Sequence, residues 1–296
     1  MTNRFEYLRP TTVEEACELK TRHGATARFL AGGTDLIHDW RRGQVSFDYC
    51  IDLTFIPGLD AFAWDGGHLS VGALARLATV AAAEEEPGLP GFLASGAGRM
   101  GTPQIRNLAT VGGNICHASP CADMAVMLTA LDGEAHLRSS RGARMLPLRE
   151  FFKGVNETGV ADDELLTEVV VPVPAARVEA SYQRAARTSV DLAQASAAVC
   201  LTSDDGATVS RARIAIGACA PVPVRSDAAE EILVGLDARD PDRERIELAA
   251  ARAEWETSPI CDIRGSDEYR REVSKVLVRR AVDDCLVRLA GVAAPV

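Results

Sequence analysis

Three glycine clusters in this 296-residue chain have the spacing to hold a phosphate. Gly32-Gly33-Thr34-Asp35 follows a short apolar strand, Arg28-Phe29-Leu30-Ala31, and precedes a helix expected to begin at Leu36. Paired glycines let the backbone approach a ligand and turn its N–H groups toward an anion, and the hydroxyl and carboxylate that follow can cap the helix. Thr110-Val111-Gly112-Gly113-Asn114 repeats this chemistry and reads as a second glycine turn. Either pair alone is as readily an ordinary turn. Two such loops, each after an apolar stretch, suggest two walls gripping one diphosphate, and so a bound nucleotide cofactor. Gly96-Ala97-Gly98-Arg99-Met100-Gly101 matches G-x-G-x-x-G, but the residues before it read as helix and Pro103 follows. With no βαβ unit around it, it is expected to be a helix terminus.

Beyond the second loop, Ser119 is expected as a helix N-cap with Pro120 at the first helical position. Asp123 then lies in the first turn, where it can accept hydrogen bonds from sugar hydroxyls or simply complement the helix dipole. Cys116, His117 and Cys121 lack a fourth partner at metal-site spacing, so a closed zinc or iron–sulfur site is not expected. The histidines at 23, 38, 68, 117 and 136 sit in unrelated contexts, and there is neither a G-x-S-x-G elbow nor a Walker loop. The chemistry is therefore expected to belong to a cofactor that the protein binds and orients.

Ordinary globular elements must position these residues. The hydrophobic fraction of 47% and charged fraction of 25% exclude a disordered chain, a collagen and a coiled-coil rod. A net charge of −10 excludes a phosphate-backbone binder, so nucleic acid is not the partner. No apolar run approaches the ~20 residues of a membrane span. The N-terminus lacks a signal-peptide core, and the eight scattered cysteines read as mostly buried reduced thiols, so a cytoplasmic location is expected. Thr12 and Glu15 form a capping box for a first helix closed by Gly24. Strands are expected at 28–31, 49–53, 68–73, 135–137 and 165–171, with helices near 76–86, 91–98 and 122–131 between them. Pro172 and Pro174 break the pattern and place a domain boundary there. Strands at 182–186, 195–202 and 209–218 followed by helices at 226–236, 241–256 and 266–290 indicate an α+β C-terminal domain.

Taken in order, Phe5-Glu6-Tyr7-Leu8-Arg9-Pro10, Ala31-Gly32-Gly33-Thr34-Asp35-Leu36, Pro103-Gln104-Ile105-Arg106-Asn107 and Thr110-Val111-Gly112-Gly113-Asn114 resemble the FAD-binding medium subunit of molybdenum hydroxylases. This is the xanthine dehydrogenase and carbon monoxide dehydrogenase family. Ala118-Ser119-Pro120 with Asp123, Ile216-Gly217-Ala218 with Pro223-Val224-Arg225, and Asp262-Ile263-Arg264-Gly265-Ser266 with Tyr269-Arg270-Arg271 extend the likeness over nearly the whole chain.

The resemblance implies an α+β protein. A vanillyl-alcohol-oxidase-like FAD-binding domain at 1–175, in lobes of about 1–55 and 56–175, precedes a C-terminal flavoprotein domain at 176–296. It implies FAD between the lobes, with Phe29, Leu30, Ala31, Gly32, Gly33, Thr34, Asp35 and Leu36 and then Thr110, Val111, Gly112, Gly113 and Asn114 around the diphosphate. Asp123 would hold cofactor hydroxyls, and Met100 and Leu166 would lie near the flavin. Gln183 falls where eukaryotic xanthine dehydrogenases carry a lysine, with Arg184 as its neighbour. No catalytic residue and no metal are implied in this chain.

Such subunits relay electrons from the [2Fe–2S] clusters of a small partner subunit, fed by a large molybdenum-cofactor subunit, to NAD or another acceptor. The short run from Asn114 to Asp123 leaves no evident room for the additional [4Fe–4S] cluster of some relatives, so FAD alone is expected. Thr34-Asp35, in place of the His-Ser pair usual in the carbon monoxide branch, tilts the reading toward the xanthine dehydrogenase branch. The alternatives are a self-sufficient flavin oxidase of the same fold and a flavin-free assembly subunit. Valine at Gly33 or Gly113 is expected to abolish FAD binding in the enzymes.

Overall fold

Short extended segments pair first near the N-terminus of the computed structural model, which describes residues 4–64, 67–83 and 88–291. β1 (Glu6–Leu8), α1 (Val13–His23), β2 (Ala27–Leu30), α2 (Leu36–Arg41) and β3 (Tyr49–Asp52) make the first lobe. Its sheet has the order β1-β3-β2 and is wholly parallel, so the chain crosses over between neighbouring strands rather than turning back in hairpins. Thr12 caps α1 by accepting Glu15 N–H, but Glu15 reaches back to Thr11 N, at 2.7 Å, rather than to Thr12. Ala16, Cys17, Ile51 and Leu53 of this lobe pack against Leu74 and Leu165 of the next.

The second lobe contains β4 (Phe62–Trp64), β5 (His68–Gly72), α3 (Leu77–Ala81), α4 (Leu89–Ala97), α5 (Pro103–Arg106), α6 (Val111–His117) and α7 (Asp123–Ala130). β6 (Glu134–Ser139), β7 (Gly142–Pro147), α8 (Leu148–Phe151), β8 (Phe152–Gly154), β9 (Glu157–Thr158) and β10 (Leu165–Pro172) complete it. The end of the helix expected at 76–86 lies outside the described residues. The five-stranded antiparallel sheet runs β4-β5-β10-β6-β7. Pro172 is the last residue of the central strand, where a missing N–H costs the ladder least. The glycine cluster at 96–101 is a helix terminus, with α4 ending at Ala97.

The third sheet is β11 (Arg177–Ala185), β12 (Ala195–Ser203), β13 (Arg211–Gly217) and β14 (Val224–Arg225), antiparallel and in that order. α9 (Asp227–Leu233), α10 (Arg243–Trp255) and α11 (Asp267–Leu289) follow. Every residue of β12 is buried. Ala195, Ala197, Val199 and Leu201 face α9–α11, while Ala198 and Cys200 share a core with α4 and α7. A sheet covered on both faces explains why this strand reads as a continuous apolar run.

Asp132, just past α7, adds a polar clamp between the second lobe and this sheet. Its carboxylate meets Arg211 at 2.8 Å, Arg213 at 2.5 Å and Arg225 at 2.7 Å.

Candidate cofactor site

A cavity of about 690 Å³ opens where the two lobes meet β11. One wall is Gly32–Leu36, just past β2. A Cβ on Gly32 would sit 2.0 Å from the carbonyl oxygen of Leu108, so only hydrogen fits where this loop touches the second lobe. Gly33 has φ +70°, the left-handed region that disfavours a side chain, and Leu30 packs behind it. Among the described residues, the backbone N–H groups of Gly32, Gly33, Thr34 and Asp35 donate to no protein acceptor. The expected cap is not made. Asp35 occupies the N-cap position of α2, but its carboxylate accepts no backbone N–H there. It reaches across the cavity instead, 4.0 Å from His117 Nε2.

The opposite wall is not a glycine turn. Thr110 is the N-cap of α6, and Gly112 and Gly113 lie in its first turn, neither with positive φ. The donors expected to face an anion are satisfied within the protein. Val111 N donates to Ala75 O at 2.9 Å, Gly112 N to Ala73 O at 2.8 Å, Gly113 N to Thr110 Oγ1 at 3.0 Å and Asn114 N to Thr110 O at 3.0 Å. Gly112 is small for a packing reason, since its Cβ would stand 2.6 Å from the oxygen of Ala73. The backbone argument against valine therefore holds at Gly33 and not at Gly113. What this wall offers is Asn114, whose Oδ1 is buried with no hydrogen-bond partner.

Ser119 does not cap α7. Its Oγ accepts Cys121 N at 3.3 Å within a turn, Pro120 O accepts Ala218 N at 2.8 Å, and the helix starts at Asp123. Asp123 is 5% exposed. The Tyr182 hydroxyl donates to its Oδ1, and Arg184 Nε lies 3.8 Å from the same oxygen. Burial pushes the Asp123 carboxyl up, against the pull of Arg184 and Tyr182. Burial and the facing carboxylate push the Tyr182 phenol well up.

Of the other expected residues, Phe29, Ala31, Thr34, Leu36, Thr110, Met100 and Leu166 line the cavity. Leu30 supports it from behind, and Val111 is buried in the core. Gln183 does not line the cavity, because neighbouring side chains on a strand point to opposite faces. Its Nε2 donates to Asp284 Oδ2 at 2.6 Å, while Arg184 faces the cavity.

The sequence reading missed Lys20 and His117 in the lining, and Tyr182 behind it. Only the i, i+2 spacing of Tyr182 and Arg184 on one strand face could have signalled a pair. Lys20 is committed elsewhere, with Nζ donating to Gly24 O at 2.8 Å and Ala27 O at 3.0 Å.

An elongated diphosphate dinucleotide fits this donor set. One wall supplies unused backbone donors for an anion. The other supplies an orphan amide oxygen and a carboxylate for hydroxyls. The volume lies within the ~300–1,000 Å³ typical of small-molecule sites.

Residues 3–174 match the FAD binding domain in molybdopterin dehydrogenase, and residues 180–285 match the CO dehydrogenase flavoprotein C-terminal domain. The chain is 31% identical over 284 residues to the carbon monoxide dehydrogenase medium chain of Afipia carboxidovorans, covering 96% of this chain and 97% of that one. It is 26% identical over 289 residues to the xanthine dehydrogenase FAD-binding subunit of Escherichia coli O157:H7, covering 96% and 97%. The solved carbon monoxide dehydrogenase from Hydrogenophaga pseudoflava superimposes with a TM-score of 0.91 at 31% identity, covering 96% of this chain and 98% of that one. These identities give no preference to the xanthine dehydrogenase branch that Thr34-Asp35 suggested. The chain belongs to the FAD-binding medium subunits of the molybdenum hydroxylases, an oxidoreductase family.

Proposed function

We propose that the chain is the electron-relay subunit of a heteromeric molybdenum hydroxylase. It takes electrons from the [2Fe–2S] clusters of a small partner subunit, which a large molybdenum-cofactor subunit supplies, and passes them to NAD or another acceptor. The observation that carries the cofactor assignment is the row of unused N–H donors at Gly32–Asp35, facing across the cavity from an unpartnered Asn114 Oδ1.

In this reading those N–H groups hold the diphosphate, and Asn114 and Asp123 accept from cofactor hydroxyls. Met100 and Leu166 give apolar contact beside the ring, and Arg184 is the cation nearest Asp123. FAD when bound supplies the exchange between one-electron and two-electron transfer. The protein's part is to bind it, exclude water around it and present one edge to its partners. The division into a FAD domain at 1–175 and a C-terminal domain at 176–296 belongs to the same reading. So does a cytoplasmic location; no described helix is long and apolar enough to cross a membrane.

The test is the visible spectrum of the purified chain with its released cofactor identified, followed by co-purification from the native host. A flavin spectrum, released FAD and two further subunits, one carrying molybdenum and one carrying iron–sulfur, are expected. A colourless chain that takes up no added FAD overturns the cofactor assignment. A flavoprotein that isolates alone and reduces oxygen with its own substrate overturns the relay.

A further inference from the structure

Asp123 is a buried carboxylate of the cavity, yet the groups that orient it come from the third sheet. Tyr182 on β11 is 4% exposed and donates its hydroxyl to Asp123 Oδ1. Arg184 is two residues further along and so on the same strand face, and it brings Nε to 3.8 Å from that oxygen. Nε is buried with no hydrogen-bond partner, while Nη1 is held by Arg99 O at 2.9 Å and Nη2 by Asp191 O. No described protein group donates to Asp123 Oδ2.

We infer that Tyr182 is a positioning residue for the cofactor: by occupying Oδ1 it presents Oδ2 to the cavity as the acceptor for a hydroxyl of FAD. The inference rests on the FAD reading above. It makes the site bipartite, because the lobes supply the carboxylate and the C-terminal sheet fixes its rotation. A carboxylate at the first position of a helix has free rotation about its terminal torsion, which is broad and two-fold. One directed hydrogen bond selects the orientation before the ligand arrives, so less ordering is left for binding.

The titratable and charged groups facing Asp123 are Tyr182 and Arg184 from β11 and the Cys121 thiol from the turn before α7. Ser196 of β12 hydrogen-bonds Tyr182 from the neighbouring strand. A hydrogen bond to the ionised carboxylate favours that form. Deleting the Tyr182 hydroxyl therefore raises the pH at which Asp123 takes up a proton and ceases to be a strong acceptor. A merely structural tyrosine would not move that midpoint.

The experiment titrates FAD into the full chain stripped of cofactor, following flavin fluorescence from acid to neutral pH. Wild type, Tyr182→Phe, Asp123→Asn and the double variant are compared. The Phe variant is expected to keep the wild-type circular dichroism and to bind FAD about tenfold more weakly at neutral pH. Its acid midpoint of binding should move to higher pH, and it should cost nothing further in the Asp123→Asn background. An unchanged affinity and midpoint, or an equal loss in the Asn background, overturns the inference. Should Tyr182→Phe not fold, Tyr182→Met carries the test, because methionine fills the space adaptably and has no hydroxyl to donate; an unmoved midpoint there overturns the inference equally. A wild-type chain that takes up no FAD at any pH overturns the FAD reading itself, and this inference with it. A wild type that binds while the variants match it overturns the inference alone.

Discussion

Replacing Gly32 with alanine tests whether the two lobes are held at contact distance for the sake of the cofactor. The added Cβ would lie 2.0 Å from Leu108 O, 2.7 Å from Leu108 C and 3.0 Å from Ala109 Cα, all of them backbone. Carbon contacts in proteins settle near ~3.5 Å, so the loop and the second lobe must separate by more than about 1 Å. Overpacking against atoms that cannot rotate away belongs at the upper end of the usual range, about 3 kcal/mol. The same displacement carries the N–H row of Gly32–Asp35 away from where an anion sits. An N–H to oxygen bond tolerates only ~0.5 Å of stretch, and each bond to a charged group contributes about 1.5–3 kcal/mol. Losing two of them weakens FAD binding by more than about a hundredfold.

Urea unfolding of the stripped chain reads the first quantity and FAD titration the second. Gly113→Ala is the control, since its Cβ meets only Thr110 Oγ1 at 3.0 Å. Alanine also gains about 1 kcal/mol of helix propensity there. That variant should fold and bind FAD within about threefold of wild type, a tolerance of ~0.6 kcal/mol. Equal damage from the two substitutions, or an undamaged Gly32→Ala, would refute the distinction between the two glycine walls.

Three further outcomes follow from the same geometry. Burial would raise the Asp132 pKa, but the Arg225 hydrogen bond and the charges of Arg213, Arg225 and Arg211 outweigh it and hold the carboxyl below its usual value. Its contribution is therefore present above about pH 4 and lost as pH falls through the lower folded-state value. Asp132→Asn should cost about 3 kcal/mol in urea at neutral pH and flatten the acid limb of the stability profile. Asp123 has the opposite sign, because burial sets its folded pKa above the unfolded one. Wild type thus loses stability as pH rises from about 4 through the folded value. Asp123→Asn should stabilise the stripped chain at neutral pH while weakening its hold on FAD; a variant less stable than wild type there would contradict this. Gln183→Ala should leave FAD affinity within about twofold, or ~0.4 kcal/mol, because that side chain is engaged with Asp284 on the far face of β11. A tenfold loss would return Gln183 to the site.

What the sequence could and could not convey divides along the reach of the interactions. The strands at 165–171 and 195–202 were legible because local apolar character is the signal that buries them, and β10 and β12 lie there. The first glycine pair was legible because the reason for Gly33 is a local backbone conformation, φ +70°. The second pair was misread because Gly-Gly spells a turn, whereas Gly112 answers to Ala73, which the sequence does not place beside it. β7 gave no alternating pattern because four of its six residues, Gly142, Ala143, Arg144 and Met145, are exposed. Ser119-Pro120 carried a correct local signature for a helix start, and a longer-range bond from Ala218 to Pro120 holds it as a turn instead.

Asp123 shows how this bears on the site. Its place in the first turn of α7 was readable, but its usefulness as an acceptor depends on Tyr182, 59 positions later. Motif reading selects residues by type and spacing within one segment. It therefore finds the atoms that touch a ligand more readily than those that aim them. In this chain the aiming groups lie on β11, beyond the lobes, so a FAD domain cut at 175 would retain Asp123 and the N–H row and lose the bond that orients the carboxylate.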